Sequence, residues 1–127
     1  MVQPLSQYIL SLDENVLGVC LMDANYRMIE SALKTEFNSR FSLTSKLKEE
    51  ASAYAAAIFG TAKLVEESFG ETNYVVVDYS NIKLMLLKLL PEGQFVGLIV
   101  NRSTNIDYIA MKINAKIGWE QESHKYV

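Results

Sequence analysis

The sequence predicts an α/β domain of the α+β kind: a three-layer αβα sandwich on a central five-stranded, mainly antiparallel sheet. Three apolar runs lie between Asn73 and Val100 and are separated only by short turns. They show almost no alternation of apolar and polar residues, which is typical of strands covered on both faces. The flanking segments carry apolar residues at helical spacing and could supply that cover. The expected element order is α-β-β-α-β-β-β-α.

The composition predicts one globular domain without a nucleic-acid partner and without a membrane span. The chain has 127 residues, of which 50% are hydrophobic and 21% charged. We expect a core at about residues 5–118 and a flexible tail at 119–127. A net charge of −3 gives no basic surface for nucleic acid. The apolar runs are too short to span a bilayer, and the sequence begins without a signal peptide, so a cytoplasmic location is expected.

The first third of the chain predicts a helix and a hairpin. Val16–Met22 is an apolar run and predicts the first strand, which a turn at Asp23–Tyr26 ends. Tyr26–Leu33 is more polar and predicts a strand that pairs back and lies at a sheet edge. A short first helix is predicted by apolar residues at helical spacing after Pro4: Leu5, Tyr8, Ile9 and Leu12.

One long helix of about seven turns is predicted from about Leu43 to Phe69. Gly70 is expected to end it in a left-handed conformation. Its apolar stripe is formed by Leu43, Leu47, Ala51, Tyr54, Ile58, Ala62, Val65 and Phe69.

Small residues form a second patch on this helix, displaced from the apolar stripe: Ala53, Ala56, Ala57 and Gly60. Two explanations are open. Alanine is the best helix former, so the patch could reflect propensity alone. Alternatively, small side chains let another backbone approach closely, and Gly60 costs about 1 kcal/mol relative to alanine inside a helix. We favour the second explanation, with a second copy of the chain as the contact.

The last third predicts three strands and a closing helix. Turn sequences at Ser80–Asn81 and Pro91–Gln94 separate the strands. Thr104 and Asp107 have the form of a capping box, and Gly118 is a helix-end signal. The buried face of the helix is predicted to be Ile106, Ile109, Ala110, Ile113 and Ile117.

Residue pairs with the spacing of a catalytic or metal site are not found. The sequence has no P-loop, GxGxxG or GxSxG motif. Cys20 is the only cysteine and lies in an apolar strand, while His124, the only histidine, lies in the polar tail. Asp78 is interpreted as an outward-pointing residue of an edge strand; an enzymatic role is its alternative. We predict a protein that is not an enzyme and holds no cofactor and no metal.

Taken in order, these elements resemble the roadblock/dynein light-chain family of small scaffold domains, whose architecture is profilin-like and longin-like. Gly18–Asp23, a turn and Met28–Ser31 are similar to the family's first hairpin. Asn73–Val100 resembles its strand triplet, and Thr104–Ile117 resembles its closing helix. The resemblance covers about residues 5–118.

One departure from the family pattern lies in the hairpin turn. The family commonly carries glycine after the acidic residues, whereas here Tyr26 follows Asn25. We expect Asn25 to take the left-handed position instead.

The resemblance implies a noncatalytic homodimer or heterodimer that pairs through the long helix and the following strand into one continuous sheet. It also implies a platform or regulator for small Ras-like GTPases, or an adaptor in larger assemblies. The apolar strand from Tyr74 to Tyr79 agrees with this, since it would invite association if left unpaired. The predicted dimer interface is Ala53, Ala56, Ala57, Gly60, Tyr74, Val76 and Asp78.

The alternative function is a small-molecule sensor of the same architecture, with a pocket between the layers. Its predicted lining is Phe59, Tyr54, Met85 and Trp119, although core packing also accounts for each of them.

Overall fold

The computed structural model describes residues 3–35, 45–89 and 93–125. The start of the predicted long helix, with Leu43, lies outside these ranges. Along the chain the elements are α1 (Leu5–Ser11), β1 (Val16–Met22), β2 (Met28–Leu33), α2 (Ser45–Lys63), α3 (Glu66–Phe69), β3 (Tyr74–Asp78), β4 (Lys83–Leu89), β5 (Gln94–Val100) and α4 (Ile106–Lys125).

The strands form one sheet in the order β2-β1-β5-β4-β3, and every neighbouring pair is antiparallel. This confirms the predicted five-stranded antiparallel sheet. It also confirms β2 as an edge strand, while β3 forms the opposite edge. β5 lies at the centre because its neighbours β1 and β4 cover both of its sides. Its two faces are covered by the helical layers, so most of its apolar run is buried.

Helices cover both faces of the sheet, so the three-layer architecture is confirmed. α1 and α4 pack on one face, where Ile9, Met85 and Ile113 belong to the larger core. α2 packs on the other face, where Ala55 and Phe59 meet Met22, Leu86 and Phe95. Successive strand residues point to opposite faces, and Met85 and Leu86 accordingly belong to different cores.

The long helix is shorter than predicted, because it breaks at Leu64–Val65 before the short helix α3. Val65 and Phe69 are the last residues of the predicted apolar stripe, but their side chains are 50% and 83% exposed. Burial of these side chains therefore does not stabilise a continued straight helix there. The Glu66 carboxylate instead accepts a hydrogen bond from the Thr72 amide at 2.7 Å and turns the chain toward β3.

In the hairpin between β1 and β2, Tyr26 has the left-handed backbone conformation, with φ of 64°. The prediction that Asn25 takes this position is wrong. Asp23 Oδ1 accepts hydrogen bonds from the amides of Asn25 at 2.8 Å and Arg27 at 3.0 Å, which fixes the turn. The Tyr26 ring stacks on Phe95 with the centroids 4.6 Å apart. This tertiary contact offsets the cost of the uncommon backbone conformation at Tyr26.

The closing helix differs from its prediction at both ends. Its first turn is capped by Asn105, whose Oδ1 accepts from the Tyr108 amide at 3.1 Å, so the Thr104–Asp107 capping box is wrong. Asp107 instead accepts a hydrogen bond from the Tyr74 hydroxyl. The helix continues through Gly118 to Lys125, so the expected end at Gly118 is also wrong. Flexibility of residues 119–127 stays a prediction.

Candidate functional site

The outer edge of β3 carries backbone groups that β4 does not pair. The Tyr79 amide donates to the Ile82 carbonyl at 3.0 Å, which marks a hydrogen-bonded pair in the register with β4. Such pairs alternate along an antiparallel ladder, so Val77 and Val75 also bond to β4. Tyr74, Val76 and Asp78 therefore direct their N–H and C=O groups toward the open edge. Among the described residues, no strand lies beyond them.

Asp78 lies where its interpretation as an edge residue places it. Its side chain is 56% exposed, and its Oδ1 pairs with Arg102 at 2.5 Å. Arg102 also donates to the Tyr79 carbonyl. The rest of the strand, Tyr-Val-Val-Val, has no charge, and an uncharged apolar edge is a template for pairing with another strand.

The small-residue patch lies mainly on the face of α2 turned away from the sheet. Ala53, Ala57 and Gly60 are exposed and Ala56 is half-buried, whereas Ala55 and Phe59 form the buried face. A Cβ atom added to Gly60 would meet nothing within 4 Å. Packing within one chain therefore does not require glycine there, although alanine would favour the helix by up to about 1 kcal/mol.

A tyrosine pair joins this helix to the end of β3. The hydroxyl groups of Tyr54 on α2 and Tyr79 are hydrogen bonded. Burial, and then this hydrogen bond, raise the pKa of Tyr54 to about 12. The exposed face of α2 and the open edge of β3 are thus neighbours. We call Ala53, Ala57 and Gly60 together with the outer edge of β3 the α2–β3 surface.

Large apolar side chains are exposed just beyond the end of α2. Leu64 is 82% exposed and Phe69 on α3 is 83% exposed. The sequence analysis did not single out Leu64, and it placed Phe69 in the apolar stripe of the predicted long helix. A signal was present, because Leu64 follows Gly60 by four residues and Ala53 by eleven, which continues the line of the patch along one helix face. Exposed apolar groups that adjoin one another mark interaction surfaces more often than single ones do.

The predicted sensor pocket is not formed as expected, because Phe59 and Met85 lie on opposite faces of the sheet. Phe59 packs against the Phe95 ring with the centroids 4.7 Å apart, as part of the core under α2. The side chain of Trp119 lies outside the described part of the molecule. A cleft of about 250 Å³ does lie between α4, the start of β3 and the end of β4, and its lining includes Asp107 and Asn114.

Two further features bear on chemistry. Burial raises the pKa of the Cys20 thiol to about 11, which disfavours the reactive thiolate. Over residues 3–35, 45–89 and 93–125, no group of three or more His, Cys, Asp or Glu side chains is placed to hold a metal ion. The helices of the same ranges include none with the length and apolar character of a membrane span.

Comparison with known proteins decides the fold. No protein-family model and no curated protein matches the chain. Among solved structures, a Roadblock/LC7 domain from Streptomyces avermitilis matches with a TM-score of 0.68 and 11% identity, over 97% of this chain and 96% of that chain. The chain has the Roadblock/LC7 fold. This confirms the resemblance that the order of its elements indicated.

Two other structures of the roadblock fold are MglB proteins. Myxococcus xanthus MglB matches with a TM-score of 0.59 and 18% identity, over 88% of this chain and 85% of that chain. A structure described as MglB with tetrameric arrangement matches with a TM-score of 0.56 and 12% identity, over 88% and 84%. At these identities the likeness concerns the fold.

Proposed function

We propose that this chain is a noncatalytic scaffold that works as a homodimer, joined through the α2–β3 surface. The observation that carries the proposal is Gly60, an exposed glycine in the last turn of α2 with open space where its Cβ would be. A close helix crossing explains why that position has no side chain, because small residues let two backbones approach. Helix propensity explains the alanines but not the glycine.

The open edge of β3 supports the same proposal. Joining two copies of this strand would satisfy the backbone groups of Tyr74, Val76 and Asp78. Together with the helix faces, such a contact would bury on the order of 1,500 Å², which is typical of stable dimers. The tetrameric arrangement described for one MglB structure is a case of self-association on this fold.

We propose further that the dimer is a cytoplasmic platform for a small Ras-like GTPase or for another adaptor protein. The support is the roadblock fold together with the role that the family resemblance implies. The α2–β3 surface would be occupied by the second copy, so a third protein would bind elsewhere on the dimer.

Light scattering after size-exclusion chromatography tests the homodimer at tens of micromolar protein. We expect a dimer for the wild type and a folded monomer for Gly60→Glu. The glutamate fits the isolated subunit, since nothing lies within 4 Å of its Cβ. The matched control is Ala115→Glu, which adds the same charge at an exposed position of α4 in the other helical layer and should stay dimeric. A monomeric wild type removes the proposal, and a dimeric Gly60→Glu reassigns the patch to helix propensity.

Affinity capture tests the GTPase platform. The purified dimer is immobilised and exposed to an extract of the source cells loaded with either GDP or a non-hydrolysable GTP analogue. Nucleotide-dependent enrichment of a small GTPase, identified by mass spectrometry, supports the proposal. Equal recovery of the same proteins with both nucleotides argues for the adaptor alternative.

A further inference from the structure

We propose that two copies of the chain pair through β3 in one defined register, with Val76 of each copy opposite the other on the two-fold axis. This inference rests on the proposed homodimer and adds the geometry of the strand contact. It follows from the alternation fixed by the hydrogen bond between Tyr79 and Ile82, which leaves Tyr74, Val76 and Asp78 with outward backbone groups.

Only a few two-fold registers of an antiparallel strand pair use these outward groups. The register centred on Val76 opposes Tyr74 to Asp78 of the second copy and Val76 to itself. All three outward residues then lie in hydrogen-bonded pairs, for about six hydrogen bonds. Registers centred on Val75 or Val77 pair only two of the three, for about four bonds, and leave one outward residue without a partner. The Val76 register therefore satisfies the edge most completely.

The side chains on the α4 side favour the same register. Tyr74 and Val76 pack against the core under α1 and α4, and alternation places Asp78 on that side too. The Asp78–Arg102 ion pair of one copy then lies beside the Tyr74–Asp107 pair of the other. The Arg102 side chain is 46% exposed, so its guanidinium is available to a carboxylate of the second copy. At each end of the strand pair, by symmetry, Arg102 is then shared between Asp78 of its own copy and Asp107 of the other.

The side chains on the α2 side are consistent with it as well. Val75 packs against the core under α2, and Val77 points the same way by alternation. In the Val76 register, Val75 of one copy opposes Val77 of the other. The four valines would form one apolar strip below the two α2 helices, continuous with the small-residue patch.

Cysteine cross-linking tests the register, in a Cys20→Ala background that removes the only native thiol. The variants are Val76→Cys, Val75→Cys and Val77→Cys, oxidised and resolved on non-reducing gels. Directly opposed residues have Cα atoms about 5 Å apart, within disulfide reach, whereas diagonal neighbours are about 7–8 Å apart. We expect Val76→Cys to form a disulfide dimer roughly tenfold faster than either other variant alone. A mixture of Val75→Cys and Val77→Cys chains should cross-link as well.

The outcomes separate this inference from the proposed function. Faster self-linking of Val75→Cys or of Val77→Cys would show a shifted register and overturn the inference. No link from any variant or from the mixture, while light scattering still shows a dimer in the Cys20→Ala background, would mean dimerisation without β3 and would also overturn it. In both cases the homodimer stands. A monomeric wild type overturns both.

Discussion

The phenol groups of Tyr54 and Tyr79 are hydrogen bonded to each other, and this contact ties the helix α2 to the end of the edge strand β3. The two residues are 25 positions apart in sequence; Tyr54 lies on α2, and Tyr79 directly follows β3. Neither was predicted to contact the other. The pair holds the exposed face of α2 close to the open strand edge.

Replacing Tyr79 by phenylalanine should lower the pKa of Tyr54 from about 12 toward the ordinary value near 10, because one of the causes of the shift is removed. Burial, the larger cause, remains, so the return should be partial. A raised phenol pKa contributes stability that is present below pH 10 and is lost as pH rises toward 12. The tyrosinate absorbance of the wild type and of Tyr79→Phe is titrated, and each titration is repeated with Tyr54→Phe added. The difference between the two curves of each pair gives the pKa of Tyr54. An unchanged Tyr54 titration would show that the hydroxyl pair is not formed in solution.

The ion pair between Asp13 and Lys112 joins the turn after α1 to α4 at 3.2 Å, with the side chains only 14% and 25% exposed. Burial alone raises the pKa of Asp13, but hydrogen bonds from Asn15 and Lys112 and the lysine charge outweigh it and leave the pKa below its usual value of 3.8. A lowered carboxyl pKa stabilises the fold above the unfolded-state pKa and loses that effect as pH falls through the folded-state pKa. The pair should therefore weaken in acid.

We expect Asp13→Asn to lower the melting temperature at neutral pH by roughly 4 °C and to flatten its fall below pH 4. The matched control is Glu71→Gln, which breaks the more exposed Lys88–Glu71 pair at 2.9 Å and should change the melting temperature little. Thermal unfolding followed by circular dichroism across the acid range gives both numbers. Equal effects of the two substitutions would contradict the prediction that the less exposed Asp13–Lys112 pair stabilises the fold more than the Lys88–Glu71 pair.

The inner strands β1, β4 and β5 were predictable from sequence because burial on both faces favours continuous apolar runs, as in Phe95–Val100. The end of α2 was not predictable, because the helical periodicity of apolar residues continues to Phe69, beyond the last residues that pack against the sheet. The left-handed Tyr26 depends on stacking with Phe95, which is distant in sequence and invisible to local turn rules. The cap at Asn105 differs from the predicted one by a single residue, a scale at which sequence patterns do not discriminate.

The candidate surface was only partly predictable from the sequence. Small residues on α2 and an apolar β3 are visible in sequence, but their adjacency depends on the sheet order. Which residues of β3 face outward follows only from the hydrogen bond at Tyr79. The side chains of Val75 and Val77, on the α2 side of the strand, were not in the predicted interface and belong to the proposed apolar strip.

Gly18 and Gly60 should respond in opposite ways to alanine. A Cβ on Gly18 would lie 2.7 Å from Leu33 Cδ2 and 3.2 Å from Ile99 Cδ1, so both side chains must shift. We expect Gly18→Ala to destabilise the fold by about 1 kcal/mol. Gly60→Ala has open space and should stabilise the isolated helix by about 0.5–1 kcal/mol. Urea unfolding of the wild type and of each variant, at protein concentrations where light scattering shows the monomer, measures the change. A destabilised Gly60→Ala subunit would contradict the open face of α2.

Charge exchange between Arg102 and Asp107 tests the contact that the Val76 register brings together across the dimer. Arg102→Glu gathers three acidic side chains at each symmetric end of the strand pair, so it should weaken dimerisation by roughly tenfold in Kd at low salt. Asp107→Arg opposes Arg102 of the other copy but also gains Asp78 of that copy as a partner, so it should weaken dimerisation less. The double variant restores opposite charges in exchanged positions and should recover most of the lost affinity.

Within one subunit each single variant also breaks a native contact, with Asp78 or Tyr74, that the exchange does not restore. Recovery in the double variant can therefore only come from the second copy. Sedimentation velocity over a protein dilution series gives the Kd values, and additive losses in the double variant would mean that the two side chains do not meet across the dimer.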